Sequence, residues 1–362
     1  MAQPTISDVA KLASTTPATV SRVINNSGYV SARARAAVLA AVEQLHYVPN
    51  ANARVLKTKR SHVIGILTGD LFNPYSVTLA GAVQAHAEAR GYTTFMAAAG
   101  DAADSELRAL EAFHRQRLAG VIVASLQTPA SDRLLLRLAE QSLPLVLVGR
   151  QLAHPRVDTI SANFRRGGTL ATQHLIAAGH RRIAFIGAHP ADVPRIGRFQ
   201  GYLDALDDAG LAVRDEFIVG QARATPTPHY STQIDGYPAM QQLLKLPSRP
   251  TAIFARNDYT AIGALQALKE AGLRTPDDVA VAGFDDIPLA AAMSPSLTTV
   301  SQPTDAEGRF AAEFLLERIE RSAGETARRE ILLECNLIVR ASTAGREAET
   351  HARPETHARS RG

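Results

Sequence analysis

The chain has 362 residues, of which 46% are hydrophobic, and this length suits a small module plus a core of roughly 270 to 300 residues that usually divides in two. No apolar run approaches the roughly 20 residues needed to cross a bilayer, and the N-terminus lacks the apolar core of a signal peptide. A single cysteine rules out an internal disulfide. We therefore expect a cytoplasmic protein of two or three domains, with no membrane partner.

Charge is unevenly distributed along the chain. The formal net charge is +4, yet residues 1–60 carry eight basic and two acidic side chains, a net +6, so the remaining 302 residues sum to −2. Positive charge gathered in one short segment is typical of a nucleic-acid contact, because each neutralised phosphate releases condensed counterions. The alternative is a basic face that is merely solvated.

The first predicted helix begins at a capping box. The Asp8 amide can donate to the Thr5 hydroxyl, while the Thr5 amide donates to the Asp8 carboxylate. A three-residue connection, 14–16, then leads to a second helix, with Thr16 as its N-cap and Pro17 at its first position. The apolar face of the first helix consists of Ile6, Val9, Ala10 and Ala13.

A second helix from Pro17 to about Asn25 and a third from Ala32 to about Leu45, capped by Ser31, complete the module. Two short helices joined by a tight turn and braced by a third form a helix-turn-helix, whose second helix fits the major groove of DNA. That second helix turns its apolar residues inward and presents an outward face of Pro17, Ala18, Ser21 and Arg22.

This outward face supplies the candidate DNA contacts. Arg22 can donate two hydrogen bonds to guanine O6 and N7, and Pro17 and Ala18 can touch thymine methyl groups. Small polar side chains suit phosphate contacts, which fix register without reading sequence. The phosphate candidates are Thr5, Thr19, Ser21 and Asn25. Alternatively, these hydroxyls only cap the helices of a small bundle.

Residues 5–67, which begin TISDVAKLASTTPATVSRVINNSGYVSARARAAVLAAVEQLHYVPNANARVLKTKRSH, resemble the N-terminus of lactose-repressor (LacI) family regulators almost end to end. The resemblance continues to LIVRAST near residue 343. It implies that Pro17, Ala18 and Arg22 are the base readers and that a short hinge helix spans residues 50–58.

In that family the hinge helices of two subunits enter the minor groove together, and a leucine from each opens the central base step. Leu56 matches this leucine, and the flanking Arg54 and Lys57 would hold the bent backbone. The alternative is that Leu56 only anchors a linker. The chain departs from the family at Ser14 and His46, where glycine is common, so the resemblance leaves the turn geometry open.

From residue 62 the pattern changes to apolar strands alternating with helices, which predicts parallel sheets covered on both faces. Two facing halves of this kind close on a ligand at the carboxyl ends of their strands. With the resemblance, the expected fold is α/β: an all-α helix-turn-helix domain and a periplasmic-binding-protein-like effector domain of two doubly wound parallel-sheet subdomains. The predicted strands are 62–67, 93–99, 120–125 and 145–149 in the first half, and 182–188, 216–220, 251–255 and 279–284 in the second.

Polar residues at the strand ends are the candidate ligand contacts. Carboxylates accept hydrogen bonds from paired hydroxyls, and an arginine fork grips a carboxylate or two vicinal oxygens, as a sugar-like ligand requires. The segments RFQGY, ARNDYTAIGAL and AGFDDIP resemble effector-pocket segments of the family, and this marks Arg198, Asn257 and Asp285, with Tyr75 and Ser76 as further candidates. The alternatives are a helix-face arginine, a helix N-cap at Asn257 and a turn at Asp285.

The resemblance also bears on the ligand. Asp192 and Pro194 stand where purine-binding members carry an arginine and a threonine, so a purine effector is not expected. A sugar, a sugar acid and a sugar phosphate all remain open. We expect no metal and no cofactor.

The expected domain layout places the DNA-binding domain at 1–60 and the effector-binding and dimerisation domain at 61–344. The N-subdomain would comprise about 61–160 plus 293–322, and the C-subdomain about 161–292 plus 323–344. A disordered tail is expected at 345–362, and since it lacks a leucine heptad, a homodimer is preferred to a tetramer.

Two other function classes compete with a regulator. An enzyme is disfavoured because the sequence lacks GxxxxGK[ST], GxGxxG and GxSxG motifs and close histidine spacing. A secreted solute-binding protein is disfavoured by the basic helix-turn-helix. The expected function is a repressor that binds a palindromic double-stranded operator as a dimer and responds to a carbohydrate-like effector. Whether the effector releases DNA or promotes its binding is left open.

Overall fold

The chain divides into two compact units, Met1–Ser61 and His62–Gly362. The computed structural model describes residues 4–24, 26–47, 61–69, 71–99, 103–124, 129–187, 197–220, 231–321 and 327–344. Several positions singled out above lie outside the described residues: Asn25, the hinge segment 50–58 with Arg54, Leu56 and Lys57, Asp192, Pro194 and the tail 345–362.

The small unit contains the three predicted helices, α1 (Ile6–Leu12), α2 (Pro17–Ile24) and α3 (Ala32–Gln44). The capping box is formed: the Thr5 amide donates to Asp8 over 2.8 Å, and the Asp8 amide donates to the Thr5 hydroxyl over 3.3 Å. The Thr19 amide donates to the Thr16 hydroxyl over 3.2 Å, as expected of an N-cap. The three helices share one apolar core of Val9, Ala10, Val20, Val23, Val38 and Ala41.

Each of these helices ends in a Schellman motif. After α1, the Thr15 amide donates to the Ala10 carbonyl and the Ser14 amide donates to the Lys11 carbonyl. The residue that turns the chain therefore has a positive φ, which is 51° at Ser14, 47° at Asn26 and 46° at His46. The turn thus keeps the geometry that glycine favours, although serine and histidine occupy two of the three positions.

Replacing Ser14 and His46 by glycine is expected to stabilise the small unit. An L-residue in the left-handed region costs about 1–2 kcal/mol, and glycine gives back about 0.5–1 kcal/mol through its freer unfolded chain. The net gain is about 0.5 kcal/mol per site, measured by urea unfolding of the full chain followed at the helical signal. Asn26→Gly is the matched control, because asparagine already tolerates this conformation, and a control gain equal to that at Ser14 would contradict the argument.

The large unit alternates strands and helices. Its first part contains β1 (Val63–Thr68), α4 (Pro74–Ala89), β2 (Thr93–Ala98), α5 (Ala103–Arg115), β3 (Gly120–Ala124), α6 (Pro129–Glu140), β4 (Leu145–Val148) and β5 (Val157–Ala162). Its second part contains α7 (Phe164–Ala177), β6 (Ile183–Ile186), α8 (Gly197–Asp208), a 3₁₀ turn (Asp215–Phe217), β7 (Ile218–Val219), α9 (Ser231–Leu244), β8 (Ala252–Ala255), α10 (Asp258–Glu270) and β9 (Ala280–Asp285). The chain ends with α11 (Pro288–Ala292), β10 (Thr298–Ser301), α12 (Thr304–Glu320), β11 (Glu330–Leu333) and β12 (Asn336–Ile338).

These strands form two six-stranded sheets, ordered β11-β5-β4-β3-β1-β2 and β12-β10-β9-β8-β6-β7. All pairings are parallel except that of β10 with β12. Two doubly wound sheets were predicted, and this architecture is confirmed. None of the described helices is both long and apolar enough to cross a membrane.

The chain crosses between the two sheets three times: after β5, between β10 and α12, and between β11 and β12. Two predicted subdomain assignments are therefore corrected. β10 falls within the segment 293–322 assigned to the N-subdomain, yet it pairs with β9 in the second sheet. β11 falls within the segment 323–344 assigned to the C-subdomain, yet it pairs with β5 in the first. The physical reason for the second correction is that the largely apolar segment ILLECNLIV is interrupted at residues 334–335, where the chain changes sheets.

Candidate functional site

The outward face of α2 carries the predicted base readers. Pro17, Ala18 and Arg22 are all exposed, whereas Val20 and Val23 are buried in the core of the small unit. Arg22 lies about one helical turn beyond Ala18, so the two side chains project from the same side of the helix. The face is small, cationic and free of carboxylates over Pro17–Ile24, which is what contact with nucleic acid requires.

The predicted phosphate contacts are placed less uniformly. Thr5 is exposed at the start of α1, but its hydroxyl donates to Asp8 over 2.7 Å. Thr19 and Ser21 are half-buried, and the Thr19 hydroxyl lies 3.0 Å from that of Thr16. Thr5 therefore serves as a helix cap, and the Thr19 hydroxyl lies against the cap Thr16.

A cavity of about 380 Å³ opens between the two halves of the large unit. Its walls come from the start of α4, from the end of β9 and from the second crossing. The polar residues among these walls are Tyr75, Thr78, Asp285, Asp286, Ser301, Gln302, Thr304 and Asp305.

Asp285 is the centre of the polar network at this cavity. Its carboxylate accepts from Gln302 Nε2 over 2.6 Å and from Asn73 Nδ2 over 3.4 Å, and it pairs with Arg198 at 3.1 Å. Burial raises the pKa of Asp285, and the Arg198 guanidinium opposes that rise. Both Asp285 and the next residue, Asp286, have positive φ values, 105° and 53°. Strained backbone of this kind is concentrated at ligand sites in proteins.

Arg198 is held rigidly at the start of α8. Its Nη1 donates to the Arg256 carbonyl over 2.6 Å, and its guanidinium carbon lies 3.9 Å from the centre of the Phe284 ring. Gly168 on α7 makes this position possible, since a Cβ there would lie 2.1 Å from the Arg198 carbonyl oxygen. A helix-face arginine was the alternative interpretation, but these contacts direct the side chain to Asp285.

Tyr75 forms the opposite wall, and its hydroxyl donates to Glu307 Oε2 over 3.0 Å. The other oxygen of Glu307 accepts from the Ala162 amide over 3.0 Å, at the first crossing between the sheets. Glu307 is 0% exposed, and its burial raises the pKa of its carboxyl to about 7. Burial and this carboxylate together raise the pKa of Tyr75 well above its usual value.

Asp258 lies behind the network, is also 0% exposed and has no cation against it in the described contacts. Its carboxyl accepts from the Ile287 amide over 2.9 Å and from the Thr299 hydroxyl over 2.5 Å. Burial, together with the nearby Asp285 carboxylate, raises the pKa of Asp258 to about 8. Asp258 therefore favours the neutral form near neutral pH.

Two predicted contacts are placed elsewhere. Asn257 is the N-cap of α10, where its side chain accepts from the Thr260 amide over 2.9 Å. This agrees with the alternative interpretation of Asn257 as a helix cap. Ser76 is buried on the inner face of α4 and is not among the described residues that line the cavity.

Sequence reasoning missed Asn73, Gln302 and Glu307. The signal that marks them is weak: Gln302 and Glu307 belong to the polar stretch SQPTDAEG between a strand and a helix, which is also how a solvated loop looks.

Comparison with known proteins gives two family matches. Residues 5–50 match the model of the bacterial regulatory proteins of the lacI family, and residues 172–343 match that of the periplasmic binding protein-like domain. The HTH-type transcriptional repressor PurR of Yersinia pestis bv. Antiqua (strain Antiqua) is 38% identical over 317 residues, which cover 87% of this chain and 90% of that protein.

Two solved structures resemble the whole chain. A transcriptional regulator CelR–cellobiose complex is 33% identical, with a TM-score of 0.68, and the match covers 94% of this chain and 99% of that one. The lac repressor dimer bound to operator and the anti-inducer ONPF is 26% identical, with a TM-score of 0.81, and the match covers 95% and 100%.

Proposed function

Because the chain belongs to the LacI family of bacterial regulatory proteins, we propose that it is a repressor that binds a pseudo-palindromic operator as a homodimer and responds to a small carbohydrate-like effector. One observation carries the proposal: the chain combines an exposed cationic helix face with a polar cavity between two sheets. Its place of action is then the cytoplasm, where bacterial DNA lies.

On the DNA side, α2 is proposed to enter the major groove, with Arg22 reading guanine and Pro17 and Ala18 touching thymine methyl groups. Thr5, Thr19, Ser21 and Asn25 are proposed to contact phosphates. The hinge residues Arg54, Leu56 and Lys57 are proposed, by resemblance to the family, to bind and open the minor groove.

A homodimer is supported by exposed apolar side chains on one side of the first sheet. Val77 on α4 is 54% exposed, and Phe95 on the neighbouring edge strand β2 is 50% exposed. An exposed apolar edge strand is prone to associate with another chain. In a two-fold homodimer the same apolar surface of both subunits is buried in one interface. The same symmetry accounts for a palindromic operator.

On the ligand side, hydrogen bonds already link the two halves around the cavity. Asn73 of the first half donates to Asp285 of the second, and the Tyr259 hydroxyl donates to the Phe72 carbonyl over 3.1 Å. A ligand that replaces or reinforces such links changes the relative stability of the open and closed arrangements. We therefore propose that the effector acts by shifting the closure of the two halves, and the sign of the response follows from which arrangement binds DNA.

The experiment that tests this function is selection of operator sites from a random duplex library at physiological salt, with Arg22→Ala as the key variant. The variant should lose about 1–3 kcal/mol of affinity, roughly 5- to 150-fold, for the selected site, and should lose preference at one base pair of each half-site. Fluorescence anisotropy on the selected site and on single-base variants measures both effects.

Arg33→Ala is the matched control, because Arg33 is an equally charged, exposed residue at the start of α3. Both variants remove one positive charge, so both should weaken non-specific binding alike. Failure of the wild-type chain to select any site, or an equal loss by both variants on every sequence, would contradict the proposed function.

A further inference from the structure

We propose that the effector is an uncharged molecule that presents hydrogen-bond donors to the cavity, such as sugar hydroxyls, and that sugar phosphates and sugar acids are excluded. The inference rests on the proposed function and narrows its ligand class. It is carried by the acceptor atoms of Gln302 and Tyr75 and by the carboxylates of the described cavity lining.

Gln302 provides the first of these acceptors. It is 7% exposed and lines the cavity, and its Nε2 donates to Asp285. An ionised carboxylate only accepts, so the amide nitrogen must be the atom that faces Asp285 and the amide oxygen must be the other. Among the residues that the structure describes, no donor reaches the buried Gln302 Oε1. A buried acceptor without a partner is unfavourable, and a ligand donor would satisfy it.

Tyr75 provides the second acceptor. A tyrosine hydroxyl has a single hydrogen, and that of Tyr75 is directed to Glu307. The phenol oxygen therefore offers only lone pairs to a ligand in the cavity. Glu307 acts here as a positioning residue, because it fixes which hydrogen-bonding role Tyr75 can play.

The charges of the cavity walls also disfavour an anionic ligand. Its described lining contains three carboxylates, Asp285, Asp286 and Asp305, and no lysine, arginine or histidine. The two arginines behind it are already engaged: Arg198 pairs with Asp285, and Arg340 pairs with Asp286 at 2.7 Å while donating to the Leu297 carbonyl over 2.9 Å. A phosphate or carboxylate brings only acceptors and negative charge, so it can donate to neither Gln302 Oε1 nor the Tyr75 oxygen, and the wall carboxylates repel it.

The test compares neutral probes with their anionic counterparts at about pH 8, where Glu307 is ionised. Isothermal calorimetry on the full chain measures glucose against glucose 6-phosphate and gluconate, ribose against ribose 5-phosphate, and inorganic phosphate alone. The neutral member of a pair should bind at least about tenfold more tightly than its anionic partner. Tighter binding of an anionic member, or binding of inorganic phosphate that competes with a sugar, overturns the inference.

A crystallographic arm does not depend on finding the natural ligand. Crystals soaked in glycerol should place a hydroxyl within hydrogen-bond distance of Gln302 Oε1, whereas crystals soaked in ammonium sulfate should show no sulfate within the cavity. Sulfate bound there, on Gln302 or Tyr75, would overturn the inference.

Glu307→Gln tests the role of the positioning residue. The introduced amide can donate to the Tyr75 oxygen and so release the tyrosine hydrogen toward the cavity. Discrimination against anionic probes should then fall several-fold, with Asp305→Asn as the control that removes one wall charge and leaves Tyr75 unchanged. An unchanged ratio in Glu307→Gln would remove Tyr75 from the argument. Ligand binding is measured without DNA, so failure of operator selection overturns the proposed function while leaving this test intact.

Discussion

Replacing Arg198 by alanine should abolish the effector response, with a loss of affinity of roughly 100-fold or more, while the selected operator is still bound. The variant removes the cation that pairs with Asp285 and the donor to the Arg256 carbonyl. Removing one partner of a buried ion pair costs about 3–5 kcal/mol, because the remaining charge stays buried. Loss of function must therefore be separated from loss of stability.

The double variant Arg198→Met with Asp285→Asn makes that separation. It removes both charges, and asparagine tolerates the positive φ of 105° at residue 285. Its melting temperature should return toward that of the parent chain, whereas its response to effector should stay absent. A double variant that regained the response, or an Arg198→Ala protein that responded normally, would show that the effector response does not depend on this pair.

Stability of the large unit should fall as the pH rises from about 5 to about 8.5. Asp258 and Glu307 have pKa values raised to about 8 and about 7 from ordinary values of 3.8 and 4.5. Between the ordinary and the raised values the folded state binds more protons than the unfolded state, so the stabilisation is present at low pH and is lost through the raised pKa. At 1.36 kcal/mol per pH unit, Glu307 alone contributes about 3 kcal/mol, and thermal unfolding across this range measures the change.

Asp258→Asn should reduce this pH dependence to the part that Glu307 contributes, with little loss of stability at low pH. An asparagine mimics the protonated acid, since it can accept from the Ile287 amide and donate to the Thr299 hydroxyl. Asp158→Asn is the contrasting control: Asp158 is equally buried but lies between Arg318 and Arg329, at 2.5 and 2.8 Å. Those contacts lower the pKa of Asp158, so its loss should destabilise the protein at neutral pH. A pH dependence in Asp258→Asn as steep as that of the parent chain would contradict the assignment.

The sequence predicted the fold class because each signal was local. Capping pairs located α1 and α2, and uninterrupted apolar runs located most strands. β5 was not predicted because its sequence, VDTISA, is half polar. Its buried aspartate is paired with arginines from distant parts of the chain, which no local pattern reveals. The break between β11 and β12 escaped for a related reason, since nothing in an apolar run tells which sheet each half will join.

The residues of the candidate site were likewise predictable only where a local signal marked them. Strand-end and helix-start residues such as Arg198 and Asp285 could be proposed from their positions and from family resemblance, and the structure brings them together. Asn257 was proposed on the same grounds but is a helix cap. Gln302 and Glu307 could not be proposed, because their importance arises from burial and from partners more than 15 residues away, such as Asp285, Tyr75 and Ala162.

The place of β11 has a consequence for biosynthesis. The first sheet begins with β1 but is completed only when Glu330–Leu333 pairs with β5, some 170 residues after that strand has left the ribosome. During translation β5 therefore lacks its partner β11 until late in synthesis, and β10 lacks its partner β12 in the same way. Both sheets of this topology are completed only after almost all of the chain has emerged, and neither complete half can be produced alone by truncation at a single point.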